Sequence, residues 1–204
     1  MIATPRPILE ETPLVAKPVR HRLTADDFEQ MCSAGILTAD DRVELIDGEL
    51  IEMPPMGPAH TGIVNRLAEI LFLRLGDAAK LRVQSSVRLS NHTQPEPDLA
   101  VAKPDSRHYL LRHPRPADIL LAIEVADSSL CYDREQKVPR YAAAGVAEVW
   151  LVDVGEKQVT IYTAPSSSGY RHSRTVAWAE EIVSTAVEGL RLTFEEFLPL
   201  AHFE

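Results

Sequence analysis

"ILLAIEVADSS", residues 119–129, decides the architecture. Up to Ala126 every residue except Glu124 is apolar, the pattern of a central strand covered on both faces. A second short apolar run, "PEPDLAV" at residues 95–101, carries Asp98 in the same way. An unpaired charge in a core is expensive, so each acid needs a partner or a job. Side chains alternate along a strand, which puts Asp98 on a face with Ala100 and Ala102. Glu124 shares its face with Leu120, Ala122 and Ala126. Small side chains beside both acids leave room there, for a closely packed helix or for a metal and a substrate.

Outward from these strands the pattern alternates. "LTADDFEQMCSAG" reads as a helix, with Thr24 and Asp27 fitting a capping box and Gly35 a stop. "VELIDGELIEM" reads as a hairpin about Asp47-Gly48 in a two-residue register that sets Glu44 across from Ile51. Glu44 then shares a face with Ile46 and becomes a third acid directed inward. "GPAHTGIVNRLAEILFLRLGDAAK" is a helix with one apolar stripe, Ile63, Val64, Leu67, Ile70, Leu71 and Leu75, and His60 at its head. A lone histidine in that position is more often a structural cap than a functional group. Strands are expected at "LRVQSSVRL", "PDLAVA" and "DILLAIEVA". "DREQKVPRYAAAGVA" follows as a short helix with Pro139 near its first turn or kinking it. A hairpin turning at Gly155, a third strand pair from Tyr170 to Leu192, and a closing helix "TFEEFLPLA" complete the order. That order makes a mixed α/β domain over residues 21–204 behind an irregular arm, residues 1–20, that holds four prolines.

The composition, 45% hydrophobic and 25% charged over 204 residues, is that of a globular protein with a substantial core. Cys32 and Cys131 lack metal or redox spacing and read as free thiols. No apolar run reaches the roughly 20 residues of a membrane helix, and the first residues lack a signal peptide's pattern, so the expected location is cytoplasmic. The net charge of −9 argues mildly against non-specific polyanion binding, unless a local basic surface exists. Residues 103–116 are the candidate surface, with Lys103, Arg107, Arg112 and Arg115 facing Asp105. A solvated loop would look the same.

Two carboxylates on adjacent strands repel, and one protonates unless a cation lies between them. Oxygen ligands of this kind suit Mg²⁺ or Mn²⁺, whereas no His/Cys spacing supports zinc. A hydrolytic site also benefits from a fixed cation near the attacking water or a substrate phosphate. Lys137 is the candidate, because Asp133, Lys137 and Tyr141 fall on one helix face. A surface Asp133–Lys137 ion pair would give the same spacing. If Lys137 instead serves the site, its ammonium points toward Glu124, with Asp133 left to solvent or to the helix N-terminus. Replacing it should then alter activity with little change in melting.

"VELIDGELIEM", the helix opening at His60, "PEPDLAV", "AIEVADSS" and "YDREQKVPRYAAAGVAEVWLVD" together resemble the Uma-two family of restriction endonucleases, in the PD-(D/E)XK nuclease superfamily. The resemblance covers about residues 22–200. It implies a restriction-endonuclease-like fold, a mixed central sheet flanked by helices with an N-terminal helix and hairpin. Asp98 would be the acid of the "PD" element and Glu124 that of the "(D/E)XK" element. The lysine expected two residues later is replaced by Ala126, and the following helix would supply Lys137 in its stead. The implied catalytic set is Asp98, Glu124 and Lys137, with Asp98, Glu124 and Glu44 as metal ligands and His60 and Tyr141 as accessory groups. The implied activity is Mg²⁺- or Mn²⁺-dependent hydrolysis of DNA phosphodiesters, by a monomer or a homodimer. The competing reading is a catalytically inactive nuclease fold that binds nucleic acid or protein. A third is hydrolysis of another phosphorylated or polyanionic substrate.

Overall fold

The computed structural model describes residues 19–177 and 180–198. The proline-bearing arm, up to residue 18, and residues 199–201 of the expected closing helix lie outside them. Helix α1 (Ala25–Ser33) begins at Thr24, which accepts from the Asp27 amide while Asp27 accepts from the Thr24 amide. Strands β1 (Val43–Ile46) and β2 (Glu49–Glu52) form the expected hairpin, with Glu44 opposite Ile51 and Leu45 opposite Leu50. Asp47 and Gly48 both have positive φ, as a tight primed turn demands. A Cβ on Gly48 would lie 2.6 Å from the Arg22 Cβ, so glycine is required there.

Helix α2 (Pro58–Leu75) buries His60, Ile63, Val64, Leu67, Ile70, Leu71 and Leu75 along one stripe. The central sheet runs β3 (Lys80–Val83), β4 (Leu99–Ala102), β5 (Ile119–Ala126), β6 (Glu148–Asp153), β7 (Gln158–Ser166), β8 (Gly169–Val176), in that spatial order. Only β5 and β6 are parallel. The connection between them is continuously helical from Leu130 to Ala144: α3 (Leu130–Tyr132), a π turn (Asp133–Lys137) and α4 (Val138–Ala144). The π turn has a cause. Pro139 has no N–H to give residue 135 and its ring crowds that carbonyl, so the ladder widens just before it, with the Val138 amide reaching Asp133.

The sheet is covered on both faces. On one, α2 packs on Leu99, Val101, Leu121, Ile123, Val125 and Trp150. Truncating a buried residue such as Leu67 to alanine there would cost about 2–5 kcal/mol. On the other, Ala100, Ala122 and Val149 cluster with Val138 and Tyr141. The room beside the alanines is thus taken by a closely packed helix.

Three expectations need correction. The strand expected over residues 81–89 ends at Val83, because Gln84 turns to φ +41°. The chain beyond pairs within itself, Val87 N to Pro95 O and Leu89 N to Thr93 O, and Gln94 bridges to Leu45. This loop docks the β1–β2 hairpin on the end of the sheet. The third strand pair is not one pair: β8 extends the main sheet, while β9 (Ile182–Val183) and β10 (Arg191–Leu192) pair with each other. The closing helix α5 spans only Phe194–Phe197 among the described residues.

Candidate active site

The β4–β5 register builds the site. Leu99 faces Ile123 and Ala100 faces Ala122, so one further step sets Asp98 across from Glu124. Directly opposed residues share a sheet face. Asp98 Oδ2 accepts from the Val125 amide at 2.8 Å, which fixes its carboxylate against the strand that carries Glu124. Asp98 Oδ1 lies 3.1 Å from His60 Nε2. That contact, made from the first turn of α2, raises the histidine's pKa; burial opposes it, and the Asp98 charge adds to it. His60 Nδ1 is buried with no hydrogen-bond partner among the described residues.

Glu124 is 2% exposed. Tyr141 donates to its Oε1 at 2.6 Å from behind, and Lys137 Nζ lies 3.3 Å from its Oε2. Burial pushes the Glu124 carboxyl well up; Lys137 opposes this, and the nearby Asp133 and Asp98 charges reinforce it. Lys137 is also buried, 3.3 Å from Glu44 Oε2 and 3.4 Å from the Glu96 carbonyl. Burial alone would pull its ammonium down, but Glu124, Glu44 and Asp133 outweigh that and leave its pKa raised. Lys137 therefore stays charged.

Glu44 is held by three donors: Lys137, the Tyr132 hydroxyl at 3.3 Å and the Glu96 amide at 3.2 Å. Asp133 is 4% exposed and accepts from the Ser129 hydroxyl at 2.6 Å. Of the two places expected for Asp133, solvent is overturned and the helix N-terminus holds, since Ser129 is the N-cap of α3. The exposed Asp133–Lys137 ion pair is overturned too, because both residues are buried. The π turn explains how Tyr132 and Lys137 reach one carboxylate. Five residues apart, they would diverge on an α-helix, and the wider turn realigns them.

These groups line a cleft of about 1250 Å³. Its lining includes Glu44, Glu96, Asp98, Glu124, Asp127 and Asp133 together with the buried Lys137, and such an excess of carboxylate draws a cation. Among the described residues no three His, Cys, Asp or Glu side chains converge into a ready-made metal cage. Of the basic loop, Arg112 lines the cleft, but it is tied to Asp118 at 2.5 Å. Lys103, Arg107 and Arg115 are exposed and outside the lining. The sequence reading did not single out Tyr132, Glu96 or Arg82, all of which line the cleft. For Arg82 a signal existed: with Gln84 it makes alternate polar positions in "LRVQ", a strand face with something polar to meet.

The Uma2 family, described as "Putative restriction endonuclease", matches residues 25–195. A solved structure from Anabaena variabilis, described as a "putative nuclease belonging to DUF820", superposes with a TM-score of 0.68 at 16% identity. The match covers 86% of this chain and 97% of that one, and it shows a common fold. No curated protein matches this chain.

Proposed function

The chain belongs to the Uma2 family, and from that premise and the cleft's geometry we propose that it is a Mg²⁺- or Mn²⁺-dependent endonuclease acting on DNA. The observation that carries this reading is a pair of facing carboxylates, Asp98 and Glu124, with a buried ammonium 3.3 Å from one of them at the floor of an open cleft. The donor set fits the ion. Mg²⁺ takes one or two carboxylates and keeps several waters, so it needs no complete protein cage. Asp98 and Glu124 would hold it by exchanging donors they now meet, as would Glu44, the candidate third ligand from sequence, which accepts from Lys137, Tyr132 and the Glu96 amide.

When bound, such a metal supplies an acidified water and polarises the phosphate. The protein's own groups do the positioning. Lys137, held by Glu44, Glu124 and the Glu96 carbonyl, is a fixed positive charge that would offset charge developing on the phosphate, and would orient the attacking water by exchanging one of those acceptors. Tyr141 fixes the Glu124 carboxylate through its hydroxyl, and His60 together with the Val125 amide fixes Asp98. In the hydrolysis, water's oxygen bonds to phosphorus as one phosphoester bond breaks, and the leaving alkoxide takes up a proton.

Purified protein incubated with supercoiled plasmid and Mg²⁺ or Mn²⁺ should nick or linearise it, and EDTA should stop the reaction. Intact plasmid across both metals and a range of pH would overturn the reading.

A further inference from the structure

Among the described residues, Arg82 is a cation without an anion. It lies on β3, half-buried, and lines the same cleft. Its Nε is buried with no hydrogen-bond partner, and no carboxylate lies within ion-pair distance among the described residues. Its guanidinium instead sits 5.9 Å from the centre of the Tyr109 ring. Tyr109 is 8% exposed and is held firmly: its hydroxyl donates to the Lys103 carbonyl at 2.8 Å, and its amide donates to Asp105. Arg112 covers the ring too, at 5.3 Å, but its charge is met by Asp118 and Asp105. Of the two arginines on Tyr109, Arg112 has a counter-charge and Arg82 has none among the described residues.

The sheet register places that cation relative to the acids. Arg82 faces Ala100, which faces Ala122, so the three form one row on the Glu124 face. The next row on this face holds Gln84, Asp98 and Glu124, and the Gln84 amide donates to the Asp98 carbonyl. Arg82 therefore starts one row away, about 6.7 Å along the strand, and two strand spacings of about 4.8 Å from Glu124. Ala100 and Ala122 are covered by Val138 and Tyr141, so Arg82, on the edge strand, is the member of its row that lines the cleft. That offset is too large for a group acting at the atom held by Asp98 and Glu124. It suits a neighbouring phosphate on the same strand of nucleic acid.

A charge brought part-way out of water with no acceptor is costly, and burial already draws the Arg82 pKa down. A planar fork fixed on an aromatic ring is, however, preorganised for two phosphate oxygens. We propose that Arg82, positioned by Tyr109, is the subsite for a phosphate flanking the one that is cut. This rests on the nuclease reading above, and it assigns a substrate contact rather than a catalytic role.

Steady-state cleavage of a labelled duplex in Mg²⁺, at several salt concentrations, tests it. Arg82→Gln should raise KM roughly tenfold or more while leaving kcat near wild type, as loss of uniform binding does. The salt dependence of log(kcat/KM) should become shallower by about 0.9, one phosphate contact. Tyr109→Leu should raise KM with the charge still present, and it covers the case in which Arg82→Gln folds poorly. Arg171→Gln, on an exposed part of β8, controls for net charge and should change neither quantity. A lower melting temperature with unchanged KM and slope in both cleft variants would make the pair purely structural and overturn the proposal while the nuclease stands. A wild-type protein that cuts no DNA would overturn the nuclease reading, and the subsite with it.

Discussion

Glu124 and Glu148 lie on adjacent parallel strands and are both almost wholly buried, at 2% and 0% exposed. Their surroundings differ completely. Glu148 is caged by neutral donors: the Trp150 indole at 2.6 Å, the Thr185 amide and hydroxyl at 2.7 and 2.6 Å, and the Ala186 amide at 3.0 Å. Those donors come from its own strand and from the turn between β9 and β10, so this carboxylate ties the C-terminal segment to the sheet. Glu124 instead meets a tyrosine, a lysine and further acids at the floor of a cleft. A carboxylate satisfied by dipoles is structural. One balanced against charge, with an opening to solvent, can exchange its partners for a metal or a substrate.

The sharpest way to break this contrast is Asp98→Asn. The amide keeps Asp98's shape and an acceptor for the Val125 amide but removes half of the paired charge. Plasmid cleavage should fall by orders of magnitude, with melting near wild type. Cleavage at the wild-type rate would place the Asp98–Glu124 end of the sheet in the same class as Glu148.

Lys137→Met comes next. Cleavage should drop about 10²–10³-fold, the scale of losing one preorganised stabilising group. Burial changes the stability expected from sequence alone. Removing Lys137 strands Glu44 and Glu124 together out of water, at about 3–5 kcal/mol. Adding Glu44→Gln should recover part of the melting temperature and none of the activity. Recovery of both would reduce Lys137 to a structural counter-ion.

Glu148→Gln should show the opposite profile. Loss of charge-assisted bonds to a buried carboxylate costs about 1.5–3 kcal/mol, read by denaturant unfolding, with kcat unchanged. A fall in kcat after correction for folded fraction would show that the two acids are coupled through β5 and β6.

The sequence carried the local rules well. The Thr24 capping box, the Asp47-Gly48 register and the Glu124 strand follow from spacing alone, because each is decided within a few residues. It carried Lys137 only as one of two alternatives, since α-helical spacing serves a surface pair and an inward lysine equally. The π turn that brings Tyr132 and Lys137 to Glu44 had just one local sign, Pro139. The loop over residues 84–98 could not be read, because its partners are the hairpin and itself rather than a neighbouring strand. Nor does "AEVWLVD" reveal that Glu148 is caged, as all its donors but the Trp150 indole come from Thr185 and Ala186, more than 30 residues further on.

The smallest expected effect calibrates the others. Asp47, at the hairpin turn, accepts from Arg140 at 2.6 Å, and Arg140 lies on the helix next to Lys137. Its side chain is 51% exposed, so this is charge pairing with little burial. The Arg140 hydrogen bond chiefly, with its charge and Thr93, holds the Asp47 carboxyl below its usual range, against a modest opposing effect of burial. A folded-state pKa below the unfolded one, about 3.9, means that the pair's contribution is complete above that value. It is lost as pH falls through the folded pKa. Asp47→Asn should therefore cost at most about 0.5 kcal/mol at neutral pH, and the difference from wild type should vanish in acid. Activity at neutral pH should not change. A cost rivalling that of Glu148→Gln would mean that the hairpin is anchored through Arg140, and that Glu44 owes its place beside Lys137 to this pair as well as to the loop at Gln94.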